Sequence, residues 1–292
     1  MLALNWSYIY KDSLDIILGL HTRVINPSFA NVIFLPLEST KELVDSFQHL
    51  RPDIIINAAA LTNIEYCEQN PCEARYVNVD IAVNIATACQ ELQIPLVHLS
   101  TDHLFSGLSA YADETTHLNP LNTYAKTKAQ AERLVQQYFP KALVIRTNFY
   151  GWGLSYRYSF ADHIIKTLES GGCYRAFYDI FYTPILISDL ASIILEMVEL
   201  EAYGVYNISG DDRISKYEFA VLLAKIFKLP ASSVYPISID DHPMLVKRPK
   251  DMSLSNLKAS EFTSRRLGGV DDGIYRLYNQ QLTGVRRELN LV

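Results

Sequence analysis

The chain has 292 residues, 49% of them hydrophobic and 20% charged, with a formal net charge of -6. That length can bury a sizeable core, as one large α/β unit or two modest lobes. The acidic balance, without a basic patch, excludes a nucleic-acid surface, and no apolar run reaches the length of a membrane span.

The opening MLALNWSYIYKD has no basic region and no small-residue cleavage site, so it is not a signal peptide; it reads as a helix. Apolar, strand-like runs follow at 15–21, 32–37 and 53–60. After a helical pattern over 79–92 comes a fourth run at 95–100, and after the helix that carries Tyr124 and Lys128 a fifth at 142–148. Uniformly apolar runs alternating with helices are the pattern of buried parallel strands. They predict an α/β fold with a doubly wound, Rossmann-like parallel sheet.

Past residue 150 the pattern loosens. A helix is ended by Gly171 and Gly172, and another spans 188–200 with Ser188 as N-cap. A strand follows at 204–210, then a helix at 215–227 with Ser215 and Glu218 in capping-box spacing. The expected division is a dinucleotide-binding domain over 1–150, with 178–210 returning to the sheet, and a smaller substrate-binding lobe over most of 151–292. The four cysteines, Cys67, Cys72, Cys89 and Cys173, match no zinc spacing, and the seven histidines are scattered. A metal-free, cytoplasmic protein with free thiols is expected.

Ligands of a doubly wound sheet lie outside the carboxyl ends of its strands. Three polar stretches fall there: NAAALT (57–62), STDHLFSG (100–107) and RTNFYGWG (146–153). Tyr124 and Lys128 begin the helix between the last two, and their spacing puts them on one helix face. A Tyr-x-x-x-Lys by itself is ordinary: the tyrosine packs and the lysine is solvated. Beside these strand ends it has a chemical use. A tyrosine with pKa near ~10 is a poor acid at neutral pH, and an ammonium one turn away would lower that value. A hydroxyl such as Thr101 would hydrogen-bond a carbonyl oxygen under reduction.

STDHLFSG, NPLNTYAKTKAQAE and VIRTNFYG together resemble the extended short-chain dehydrogenase/reductase superfamily, most of all the dTDP-4-dehydrorhamnose reductases. RPDIIINAAALTNIEYCEQNPCEARYVNVD, FYTPILISDLA (181–191) and RPKDMSLSN (248–256) are similar to further signatures of that family, in order and over nearly the whole chain. The resemblance implies that Thr101 polarises the carbonyl, Tyr124 donates the proton, and Lys128 tunes the tyrosine and holds the nicotinamide ribose. It implies Asn57, Ala58, Ala59, Thr62, Asn78 and Ser100 beside the cofactor, and Asp102, Phe149 and Arg248 toward a nucleotide-sugar substrate. Arg248 is equally readable as one half of a surface ion pair. Phe149 stands where many of these reductases carry a tryptophan against the sugar, which leaves the exact sugar open.

One family feature is missing. A dinucleotide-binding sheet opens with a strand and a glycine-rich turn that cradle the pyrophosphate, and here the first helix leads directly to the second strand. The expectation is a natural protein longer at its N-terminus. Without the absent strand, which belongs mid-sheet, backbone groups stay unpaired and cofactor binding weakens. After the second strand, His21 and Arg23 occupy the place of the usual acidic ribose ligand, favouring NADP over NAD; Glu38 reads either as an adenine neighbour or as a surface carboxylate. The leading expectation is an NADP-dependent reductase of a 4-keto nucleotide sugar, with a homodimer compatible with it. An epimerase of the same superfamily is an alternative; a dehydratase would need an acid pair where only Asp102 stands. A non-catalytic NADP-binding regulatory subunit is another, since the beta subunit of methionine adenosyltransferase resembles the same reductases.

Overall fold

The computed structural model describes residues 1–292. Its first half runs through helix α1 (Leu2–Tyr10), strands β1 (Ile17–Leu20) and β2 (Asn31–Phe34), helix α2 (Thr40–Leu50) and strand β3 (Ile55–Asn57). Short helices α3 (Ile64–Gln69) and α4 (Pro71–Arg75) lead through one π-helical turn, Tyr76–Asp80, into α5 (Ile81–Leu92). Strand β4 (Leu96–Leu99), helix α6 (Thr123–Tyr138) and strand β5 (Leu143–Arg146) complete it.

The second half starts with β6 (Phe149–Tyr150), α7 (Phe160–Glu169), β7 (Tyr174–Phe177), β8 (Phe181–Tyr182) and β9 (Ile185–Leu186). It continues with α8 (Ile187–Glu199), β10 (Gly204–Asn207), β11 (Ile214–Ser215), α9 (Lys216–Ile226) and β12 (Val234–Ile237). Helices α10 (Leu257–Thr263), α11 (Val270–Leu282) and α12 (Val285–Leu289) end the chain.

The central sheet has strand order β10-β5-β4-β3, all parallel. Alternation along β4 and β5 sorts their side chains onto two covered faces, as a doubly wound sheet requires. Val97, Leu99, Leu143 and Ile145 pack with Leu190, Ile194 and Met197 of α8 and with Leu2 and Trp6 of α1. Leu96 and Val144 pack on the opposite face, against Ile85 and Cys89 of α5 and Ala131 and Val135 of α6. A third cluster joins Leu18 and Leu20 of β1 to Ile164 of α7, Phe219 and Leu223 of α9 and Ile274 of α11, so the two halves share a core.

Strands β1 and β2 pair only with each other, in parallel, and no ladder bond connects them to β3. The interruption falls where the sequence pattern lacks its opening strand. Strand β3 is shorter than the run 53–60 because the Asn57 side chain accepts a bond from Ala59 N–H (3.1 Å), turning the chain out of the ladder. Ser188 is not the cap of α8: that helix begins a residue earlier, behind Leu186, and no side chain caps it. The Ser215–Glu218 capping box of α9 is present in full, and Gly171, at φ 76°, follows the end of α7.

Candidate active site at the strand ends

Helix α6 is started at a fixed place. Asn122 accepts from Ala125 N–H at 2.9 Å, while its amide donates to the Lys247 carbonyl at 3.0 Å. Tyr124 therefore sits in the first turn, at the mouth of the loop that follows β4. That loop, residues 100–107, is pressed onto the later RP segment: Gly107 has φ 75°, and a Cβ there would stand 2.7 Å from the Pro249 side chain. This contact brings Arg248 to the same mouth. Behind them a buried ion pair ties β5 to α6, with Arg146 Nε 3.1 Å from both Glu132 carboxylate oxygens and Nη2 2.9 Å from one.

Thr101, Asp102, Tyr124 and Lys128 are all buried. Asp102 is clamped between neighbours, accepting from the Thr101 hydroxyl (3.2 Å) and the Asn148 amide (2.6 Å). The His103 ring stands edge-on to Tyr124, centroids 5.8 Å apart. Burial drives the Tyr124 phenol up to about 12, with the Thr101 hydroxyl beside it pulling the other way. The expected lowering of the tyrosine by Lys128 is thus not what this structure holds. The lysine instead points back to β4, donating to the Leu99 carbonyl at 2.7 Å and standing 3.4 Å from His98 Nε2. Burial lowers Lys128 to about 8, against a smaller opposing pull from Glu132.

The residues expected beside a cofactor divide into two groups. Ser100 Oγ, at the end of β4, is buried with no partner. Asn57 is buried and Ala58 and Ala59 line the turn after it, while Thr62 accepts from Arg157 at 2.6 Å. Asn78 lies in the π-helical turn, and its amide is occupied: it bonds both backbone groups of Leu61 (2.8 and 3.1 Å) and Thr127 Oγ1 (2.9 Å). It braces the 58–62 turn against α6. The outer group is looser. Arg23 is exposed and stacks on the Tyr156 ring at 4.3 Å, and His21 pairs with Glu38 at 2.6 Å on the surface.

A cavity of about 300 Å³ opens beside His103, lined by Lys216, Arg175 and Arg248 together with Ile64, Phe160, Tyr174, Phe177 and Met252. Arg248 lines it and is also ion-paired to Glu65. Phe149 does not reach this cavity; it packs half-buried among Leu2, Trp6, Leu99 and Ile187, because β6 pairs with β9 and turns that side chain into the sheet core. Lys216 is a site residue that sequence reasoning missed. Its ammonium sits 3.3 Å above the Tyr182 ring and 4.9 Å above that of Phe160, and burial lowers it to about 8. As the first residue of a capped helix it reads as a surface lysine, and only the aromatic pair around it marks it otherwise. His103, in the STDHLFSG stretch, is a second such residue, since nothing in its spacing marks it as facing Tyr124.

A parallel α/β sheet with a hydroxyl, a tyrosine and a lysine gathered at its strand ends defines an extended short-chain dehydrogenase/reductase. The sequence matches the RmlD substrate binding domain family over residues 26–280, and the chain belongs to that family. It is 29% identical to the dTDP-4-dehydrorhamnose reductase of Aggregatibacter actinomycetemcomitans, over 75% of this chain and 77% of that one. It is also 28% identical to the methionine adenosyltransferase 2 subunit beta of Xenopus laevis, over 80% of this chain and 71% of that one. Among solved structures, a hypothetical dTDP-4-dehydrorhamnose reductase from Sulfolobus tokodaii superposes with a TM-score of 0.80 at 30% identity, covering 93% of this chain and 95% of that one. The Bacillus anthracis dTDP-4-dehydrorhamnose reductase in complex with NADP superposes with a TM-score of 0.79 at 24% identity, covering 88% and 92%. No helix is long and apolar enough to cross a membrane.

Proposed function

We propose that this chain catalyses the NADP-dependent reduction of a 4-keto nucleotide sugar, with Tyr124 as proton donor. The observation that carries the reading is that His103, which stands edge-on to Tyr124, lines a cavity together with Lys216, Arg175 and Arg248. Cations suit the diphosphate of a nucleotide sugar, and the apolar walls suit its rings. The NADP complex of the Bacillus anthracis relative and the reductase name of the Aggregatibacter one support the same assignment.

The residues present fit a nicotinamide cofactor at the strand-end side. Ser100 Oγ is a buried hydroxyl in need of a partner, and Lys128 lies beneath the cleft floor formed by β4. Arg23 would hold a 2′-phosphate, and Asn57, Ala58, Ala59 and Thr62 would wall the cleft. Bound there, the reduced cofactor supplies a hydride. The chain's own share is to orient and protonate. Thr101 donates to the substrate oxygen, relinquishing its bond to Asp102, and Tyr124 gives up its proton as charge develops on that oxygen. A phenol raised to about 12 stays protonated at neutral pH, the state a proton donor needs. Asp102, fixed by Asn148, holds the threonine hydroxyl until the substrate oxygen takes over its bond.

A second reading, a regulatory subunit without turnover, is supported by the likeness to methionine adenosyltransferase subunit beta and by Lys128 facing away from Tyr124. The two separate on one assay. NADPH consumption matched by formation of the hydroxylated nucleotide sugar is expected with dTDP-4-dehydrorhamnose or a related keto sugar. Absence of turnover with every keto sugar tried, with NADPH still bound, would replace the first reading by the second.

A further inference from the structure

Strand β4 reads as four apolar-facing residues, LVHL, all buried, and one of them is a histidine. His98 is 0% exposed, it makes no contact with solvent, and the reaction outlined above does not use it. Alternation along β4 turns it to the face covered by α5 and α6, where Lys128 (1% exposed) descends from α6. The bonds around the two residues determine where the protons are.

Ala59 N–H donates to Asn57 Oδ1 at 3.1 Å, so the carbonyl end of that amide faces Ala59 and its NH₂ end faces His98. Asn57 Nδ2 lies 3.2 Å from His98 Nδ1. An NH₂ group only donates, so Nδ1 must carry the lone pair. A ring as buried as this one stays neutral, burial holding its pKa well below the usual range. The ring proton is therefore on Nε2, aimed at Lys128 Nζ 3.4 Å away. An ammonium there would set donor against donor, because it has three N–H groups and no acceptor; a neutral amine has a lone pair to receive the bond. Turning the Asn57 amide around to rescue the ammonium would only move the conflict, setting NH₂ against Ala59 N–H.

We infer that His98 is a positioning residue for Lys128: Asn57 fixes its Nε2–H tautomer, and that N–H, facing the site lysine, lowers the lysine's affinity for a proton. The remaining contacts agree. Nζ donates to the Leu99 carbonyl at 2.7 Å, which fixes it over β4. Glu132, on α6, is the charge that favours the ammonium, and it is already engaged at two oxygens by Arg146 of β5. Asn57 on β3 and Asn78 before α5 are neutral, and Tyr124, one turn back on α6, stays a neutral phenol. At 3.4 Å the His98 contact is long for a hydrogen bond, so it biases the lysine near neutral pH and does not lock it.

For its catalytic consequence alone the inference rests on the reductase reading. Its test does not. The full chain, labelled with ¹⁵N in histidine, is examined by long-range ¹H–¹⁵N correlation, with His98→Gln used to assign the His98 ring. A neutral ring protonated at Nε2 is the expected result; protonation at Nδ1, or at both nitrogens, overturns the proposal whether or not the protein reduces any sugar. Lysine ¹³Cε shifts then follow Lys128, assigned with Lys128→Met. Its midpoint is expected to rise by at least about one pH unit, a tenfold gain in proton affinity, in His98→Gln, whose amide can turn its oxygen to the ammonium. An unmoved midpoint overturns it. If turnover is found, the low-pH limb of its profile should move with the Lys128 midpoint.

Discussion

The two ends of the proposed cofactor cleft are built in opposite ways. At the strand-end side, Asn57, His98, Asp102, Tyr124 and Lys128 are buried, and all but the tyrosine bond neighbouring side chains or the backbone. At the outer side, Arg23, His21 and Glu38 are on the surface, attached to the two-stranded sheet that shares no ladder with the main one. The difference separates pre-organisation from recruitment. Buried groups with one satisfied arrangement hold catalytic geometry before any ligand arrives, whereas exposed charges contribute only when a ligand orders them.

Substitutions can break this contrast. The largest stability effect is expected at the ion pair behind the site: Arg146→Met strands Glu132 in the core and should cost about 3–5 kcal/mol in urea unfolding. A loss under 1 kcal/mol would mean the strand-end side is less rigid than described. Thr101→Val should lower turnover by roughly 10²–10³-fold, since it removes one donor to the developing oxyanion, and should cost about 1–3 kcal/mol in stability, since Asp102 and the His103 N–H each lose a partner.

Lys128→Met sharpens the contrast through pH. Burial lowers the folded-state lysine to about 8 from 10.5, so between these values the unfolded chain holds a proton that the folded chain has released. Wild-type stability from this group is therefore lowest below pH 8 and rises with pH up to 10.5, by about 3 kcal/mol in all. Relative to wild type, Lys128→Met should look most stable near pH 7 and lose that advantage by pH 11, read as paired denaturation curves. At the exposed end, Glu38→Gln should change stability by less than ~1 kcal/mol. His21 depresses the Glu38 carboxyl below 4.5, so whatever the pair contributes is present above that pH and fades as pH falls through it.

The contrast also explains what could be read from sequence. Buried strands announce themselves, because LVHL and LVIR are apolar on both faces, and Tyr124 with Lys128 announces a site because the strand-end stretches flank it. The direction in which Lys128 points is another matter. It depends on β4 offering Leu99 O and His98 on the face beneath α6, and neither is visible in a Tyr-x-x-x-Lys spacing. Asn78 was expected at the cofactor, but a π-helical turn, which has no clear sequence signature, turns its amide onto Leu61 and Thr127. Arg157 reaches Thr62 across 95 positions of chain, and Lys216 reaches the cavity by standing on two aromatic rings from distant elements. The packing of Phe149 against the sheet core was hidden for the same reason: its partner strand β9 lies far along the chain.

The central claim is that Tyr124 donates the proton in a sugar-ketone reduction, and the most direct test is turnover of Tyr124→Phe against wild type. Both proteins would be assayed by NADPH oxidation with a 4-keto nucleotide sugar at saturating cofactor. The account predicts a loss of about 10²–10⁴-fold in kcat with NADPH binding retained, because the ring stays packed while its proton is gone. Equal turnover in the two proteins would contradict it.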